Sequence, residues 1–177
     1  YFELVRNFGG VPLVKGFLMP EKIQGIKRES AESVYAFIEE DFKAAAAVLP
    51  QRSKYASTDM GRATRGAALG YLGKVYLYQE KWEDAYKVLK EVIDEKEYKL
   101  LKDFGDVWSV DHNNSEESLF EVQYMYDGVY ALGGALTVIT GARSGPGDGW
   151  SWGQPTANLE QAYKDAGDTE RLRWTII

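Results

Sequence analysis

Two indoles one residue apart, Trp150 and Trp152, lie in a glycine-rich stretch from Gly141 to Gly153 that also carries Arg143 and Asp148. An indole face can cover the apolar C–H face of a sugar ring, while a neighbouring carboxylate or guanidinium bonds the hydroxyls. Gly147 and Gly149 would let backbone approach a ligand, because no Cβ intervenes. Tyr126 and Tyr130 precede the stretch and are candidates for the same cleft. In extended backbone, residues two apart point the same way and immediate neighbours point oppositely; a loop with irregular backbone obeys neither rule. The loop is expected to turn one indole to the ligand and to use the other as its anchor, unless a turn at Ser151 brings both outward. The competing reading is that both rings fasten the loop to the helices, since large aromatics are mostly buried.

Other chemistries find little support. Glycoside hydrolysis needs two carboxylates facing each other across the bond. Glu116, Glu117, Glu121 and Asp127 lie beside an expected strand, where carboxylates are usually solvated. His112 is the single imidazole, so a triad or a zinc site has almost nothing to draw on, and cysteine is absent. Gly145-x-Gly147-x-Gly149 lacks the spacing of a dinucleotide fingerprint. Asp103, Asp106, Asp111 and Asn113 are oxygen ligands, but their spacing is not that of a calcium loop. No catalytic residue, metal or cofactor is therefore expected. A net charge of −6 without a basic stripe argues against nucleic acid. No apolar run has the roughly 20 residues of a membrane helix.

The elements that must hold these residues are mostly helices. Leu69, Leu72-Gly73, Tyr76, Ala85, Leu89 and Val92 match the tetratricopeptide pattern of two facing helices. Ala68, Leu72, Val75 and Tyr76 form one apolar stripe; Ala85, Val88, Leu89, Val92 and Ile93 form the other. Gly73 removes a side chain where the helices approach, and Gln79-Glu80-Lys81 makes the turn. Tyr76, Tyr78, Trp82 and Tyr86 read as packing residues of this unit. Upstream, residues 1–8 read as the end of a helix with Leu4 and Phe8 inward, stopped at Gly9-Gly10. Ser30 caps a helix over 31–49 that buries Val34, Ile38, Phe42, Ala45 and Leu49.

Downstream the period changes to two. Phe120, Val122, Tyr124 and Tyr126 alternate with polar residues, which predicts a short strand with that face buried. Residues 128–153 read as a long loop, the kind that is functional or disordered. Pro155-Thr156 opens a last helix, 157–166, with Leu159, Ala162 and Tyr163 inward. The expected fold class is mostly α: tetratricopeptide-like helical hairpins with a minor β-strand and long Gly/aromatic loops. One domain over 1–177 is expected, with a hairpin core at 31–99 and a strand and ligand-loop region at 116–155. Both ends, Tyr1-Phe2-Glu3 and Thr175-Ile176-Ile177, read as cut, which predicts a piece of a longer protein.

Several blocks together resemble one family. Arg6-Asn7-Phe8-Gly9-Gly10-Val11-Pro12-Leu13 looks like the opening block of the SusD/RagB family. Val34-Tyr35-x-Phe37-Ile38-Glu39-x-Asp41-Phe42, ending at Leu49-Pro50, is similar to its next helix. Gly61-Arg62-Ala63-Thr64, Leu72-Gly73-Lys74-Val75-Tyr76 and Lys81-Trp82-x2-Ala85 resemble its hairpin core. Glu117-Ser118-x-Phe120-Glu121-Val122-Gln123-Tyr124 and Pro155-Thr156-x2-Leu159-x2-Ala162-Tyr163, with Asp168 and Arg171, follow in the same order. The resemblance implies a lipid-anchored lipoprotein of the outer membrane, exposed at the cell surface, whose lipidated cysteine lies outside this segment. It implies capture of an oligosaccharide or other nutrient, without catalysis, for a SusC-like TonB-dependent transporter. It assigns no ligand contact residue by residue. The alternative from another class is a tetratricopeptide scaffold that binds a peptide or protein in its helical groove; an enzyme acting on glycans ranks third.

Overall fold

The computed structural model describes residues 1–126, 131–132, 136–143 and 149–176. Two compact units emerge: residues 1–100 with 116–120, and residues 101–115 with 121–177.

The first unit is built from four helices. Helix α1 (Phe2–Phe8) stops at Gly9, whose φ of 67° is the left-handed conformation that glycine adopts without a Cβ penalty. The inward face of α1 is Phe2 and Val5; Leu4 and Phe8 are exposed, a correction to the expected face. A chain segment then leaves and returns at Glu29, whose N–H donates to Val11 O, while Arg28 Nε and Nη2 donate to Gly10 O and Phe8 O. Helix α2 (Ala31–Val48) is capped by Ser30, whose hydroxyl accepts from Ser33 N at 3.2 Å.

Helices α3 (Arg65–Tyr78) and α4 (Trp82–Asp94) form the expected hairpin. Helix α3 packs on both α2 and α4, so it is apolar almost all round: Ala67, Ala68, Leu69, Leu72, Val75 and Tyr76 are all buried. Thr64 caps it, accepting from Ala67 N and sharing a 2.6 Å hydrogen bond with the Tyr98 hydroxyl. The turn runs through Glu80 at φ 58°. Three apolar clusters fill the unit, and Phe42 of α2 packs against all of them. Ile93 does not join: it is 72% exposed, so the inward stripe of α4 ends at Val92. Tyr76 is buried as expected, whereas Tyr78, Trp82 and Tyr86 are exposed, which corrects their reading as packing residues.

The expected strand is also revised. Residues 120–124 form neither a strand nor a buried face. Phe120, Val122 and Tyr124 are exposed, whereas the Gln123 amide exchanges two hydrogen bonds with Asn114 and Glu121 Oε1 accepts from Asn114 N. Polar side chains with defined partners hold this segment, rather than burial of its apolar face. The minor β element is a two-residue antiparallel pair, β1 (Met125–Tyr126) with β2 (Ala131–Leu132), in register Tyr126↔Ala131.

The second unit also contains helices α5 (Leu136–Thr140), α6 (Ala157–Asp165) and α7 (Thr169–Thr175). Helix α5 lies where a long irregular loop is expected. Thr156 caps α6 as its position before the helix suggests, but Leu159 and Ala162 are exposed rather than inward. Helix α7 follows Gly167 (φ 65°) and is capped by Asp168, which accepts from Arg171 N. It packs on the 3-10 turn Phe104–Trp108, where Gly105 makes room for the Trp174 indole.

Candidate functional site: an exposed tryptophan pair

The two indoles are held by the short helix α5. A five-residue helix leaves nearly all its carbonyls without partners of its own. The returning segment 149–152 supplies donors to two of them, Trp150 N to Val138 O at 2.8 Å and Trp152 N to Ile139 O at 2.9 Å, and to the residues just after the helix, Ser151 N to Gly141 O at 2.9 Å and Gly149 N to Ala142 O at 3.1 Å. The approach is so close that a Cβ on Gly149 would lie 2.1 Å from Gly141 O. The absent side chain of Gly149 therefore serves contact with the C-terminal end of α5, not the approach of a ligand to backbone.

Ser151 sits between the indoles at φ 57°. Its hydroxyl accepts from Arg143 N at 2.6 Å, and Arg143 Nη2 donates to Trp150 O at 3.2 Å. Gln154 Nε2 adds a long bond to Thr140 O. The chain turns at this left-handed residue, and both rings face solvent: Trp150 is 50% and Trp152 60% exposed. Their centroids are 5.6 Å apart with planes tilted by 59°. The pair is an angled aromatic surface, as the turn at Ser151 predicts, instead of one outward ring and one anchor. Such a surface presents two apolar faces at once, edged by the exposed Arg143.

Of the other expected site residues, Tyr126 is placed by its backbone pairing with Ala131, and Tyr130 and Asp148 lie outside the described residues. Gln154 and the anchoring hydroxyl of Ser151 had no sequence signal of their own, since both act on backbone carbonyls or amides that only the fold brings near. Asp103 accepts from Gly105 N, and Asp106 lies 3.6 Å from His112 Nδ1. Among the described residues no group of three or more His, Cys, Asp or Glu is placed to hold a metal. Nor is any helix among them long and apolar enough to cross a membrane.

Fold and site together define a helical-hairpin protein that carries an exposed aromatic pair on a glycine-rich loop. A family model, SusD-like, described as starch-binding and associating with the outer membrane, matches residues 1–77, which span α1 to α3. A SusD-like protein of Bacteroides ovatus is 30% identical over 71% of this chain and 24% of its own length. Among solved structures, a SusD-like protein of Bacteroides fragilis NCTC 9343 is 34% identical with a TM-score of 0.76, over 91% of this chain and 32% of that one. A laminarin-binding SusD-like protein is 29% identical with a TM-score of 0.81, over 93% of this chain and 40% of that one. The chain belongs to the SusD-like family. It spans between 24% and 40% of the length of these relatives.

Proposed function

We propose that the chain is part of a non-catalytic glycan-binding protein of the outer membrane, and that Trp150 and Trp152 form a contact surface for the sugar. The observation that carries the reading is the tryptophan pair itself, two half-exposed indoles 5.6 Å apart and fixed by backbone bonds to α5. A tilted pair suits a curved oligosaccharide, because successive pyranose rings present C–H faces at different angles. Arg143, Asp148, Tyr126 and Tyr130 are the proposed polar and aromatic partners around it. Support for the ligand class comes from the family description and from the laminarin-binding relative. The captured oligosaccharide would pass to a SusC-like TonB-dependent transporter, with the full-length protein lipid-anchored at the cell surface.

Calorimetry with laminari- and malto-oligosaccharides on the full-length protein tests the reading. Trp150→Ala and Trp152→Ala are each expected to weaken binding about 10- to 100-fold, the equivalent of one buried aromatic face. Binding unchanged in both variants would remove the loop from the site.

A further inference from the structure

The first unit contains a groove of about 480 Å³ between the start of α1, the middle of α2 and α3, away from the aromatic loop in sequence and in unit. Its floor is apolar, from Phe2 and Ile38, both almost fully buried, with Ala45 and Phe42 beside them. Its rim carries two carboxylates, Glu3 and Asp41, and the half-exposed ring of Tyr71. Among the described residues no lysine or arginine lines it.

The polar groups are almost all acceptors. Glu3 is partly neutralised by Arg6 at 3.1 Å, and the Tyr1 hydroxyl is engaged with the Val14 backbone. Asp41 has no hydrogen-bond or ion-pair partner among the described residues. A site of acceptors and aromatic faces is complementary to a group that only donates and carries positive charge. The rings favour a planar cation: Phe42 and Tyr71 stack on each other within 5° of parallel, with centroids 5.7 Å apart, so Phe42 backs the half-exposed Tyr71 ring and leaves its outer face for a flat group. A guanidinium meets that demand and can also bond Asp41 through two N–H groups, whereas an ammonium is a point charge. The same unit already uses this chemistry nearby, with Arg6 over the rings of Phe2 at 5.4 Å and Tyr78 at 4.8 Å.

We propose that this groove is a docking site for an arginine side chain of a partner protein, stacked on the Tyr71 ring and paired with Asp41. The apolar floor takes the methylene stem, and the charge of the chain, −6 overall, favours a basic segment in the approach. The proposal is independent of the glycan reading.

The probe is the peptide acetyl-Ala-Arg-Ala-amide, titrated into the N-acetylated chain so that no terminal ammonium at Tyr1 competes. NMR signals of Ala45 and Tyr71 report occupancy. The arginine peptide is expected to shift both. Its citrulline counterpart, equal in shape and uncharged, should bind at least about tenfold more weakly, and Asp41→Asn should lose a similar factor. Tyr71→Phe should retain binding, since the ring face remains. Glu83→Gln, an exposed carboxylate in the first turn of α4, should bind as the parent chain does. Equal binding of arginine and citrulline peptides, or an Asp41→Asn variant that binds unchanged, overturns the proposal. So does self-association of the chain that Asp41→Asn abolishes, because the occupant is then a second copy.

Discussion

A methyl group on Gly73 would lie 2.5 Å from both Cγ and one Cδ of Leu89, so α3 and α4 meet at a contact that glycine alone permits. Gly73→Ala sets two effects against each other. Alanine is the better helix former by about 1 kcal/mol, whereas overfilling a packed contact costs about 1–3 kcal/mol. The clash involves the branching carbon of Leu89 and not only its mobile ends, so overpacking wins. A net loss of up to about 2 kcal/mol is expected in urea melts. Adding Leu89→Ala to Gly73→Ala should cost less than Leu89→Ala costs alone, a coupling that a double-mutant cycle reads directly. A stabilised Gly73→Ala would contradict the contact.

Glu39 ties α2 to the hairpin turn. It is 8% exposed and accepts from Lys81 Nζ at 2.5 Å, Gln79 Nε2 at 2.9 Å and Lys43 Nζ at 3.3 Å. Burial pushes its carboxyl pKa up, but the three donors, with the charge of Lys81, outweigh burial and hold it below the ordinary value of 4.5. A carboxyl depressed in the folded state adds stability above its unfolded pKa and loses it as pH falls through the folded value. The parent chain should therefore lose stability below about pH 4.5 more steeply than Glu39→Gln. At pH 7 that variant should be weaker by about 1–3 kcal/mol, since two lysines lose their acceptor. Parallel stability profiles from pH 7 to pH 3 would show that Glu39 contributes no linkage.

The hairpin was legible because its signal is local and redundant. Leu72-Gly73, Tyr76, Ala85 and Val92 each constrain the same two helices, and the caps at Ser30 and Thr156 are read from single residues next to their helices. What periodicity cannot supply is the far side of an element. Ile93 and Leu159 fit an apolar stripe but face solvent, because no element among the described residues covers that part of the stripe. The alternation at 120–124 suggests a strand with a buried face, and neither forms; Asn114, a loop residue at φ 54°, holds the segment instead by binding Glu121 and Gln123. At the aromatic loop the residue types were readable, and the turn at Ser151 was one of two readings. Helix α5 was not readable, since five residues carry too little propensity to stand without the backbone bonds from 149–152.

The second unit has its own tight contact. A Cβ on Gly105 would fall 2.2 Å and 2.3 Å from two carbons of the Trp174 indole. The ring is also fixed by its Nε1–H, which donates to Glu170 at 3.1 Å. Gly105→Ala should displace α7 from the turn Phe104–Trp108 and lower local stability by about 1–3 kcal/mol. Hydrogen exchange reads this at the amides of Leu172 and Ile176, which bond to Asp168 O and Leu172 O. Faster exchange there, with Ala68 N and Val34 N of the first unit unchanged, is the expected pattern. Exchange unaffected at all four sites would mean that Trp174 does not hold α7.

Ser151 decides whether the two indoles act together. A left-handed residue other than glycine costs about 1–2 kcal/mol, and the hydroxyl bond to Arg143 N returns about 0.5–1.5 kcal/mol. Ser151→Gly should thus change stability little, relieving the conformation while losing the bond. Ser151→Val has neither advantage: a β-branched residue resists φ 57°, and it offers no acceptor. It should break the turn and its bonds to Arg143 and α5, releasing the rings from the 5.6 Å spacing and 59° tilt that they now hold. Two indoles that close and tilted couple electronically, so the far-ultraviolet dichroism of the parent chain should contain a tryptophan couplet. Trp150→Phe and Trp152→Phe should each remove that couplet, Ser151→Gly should keep it, and Ser151→Val should lose it. If the pair binds glycan, Ser151→Val should also weaken the oligosaccharide about 10-fold or more, although both indoles are still present. A Ser151→Val variant that keeps both the couplet and the affinity would show that the turn is not what sets the pair.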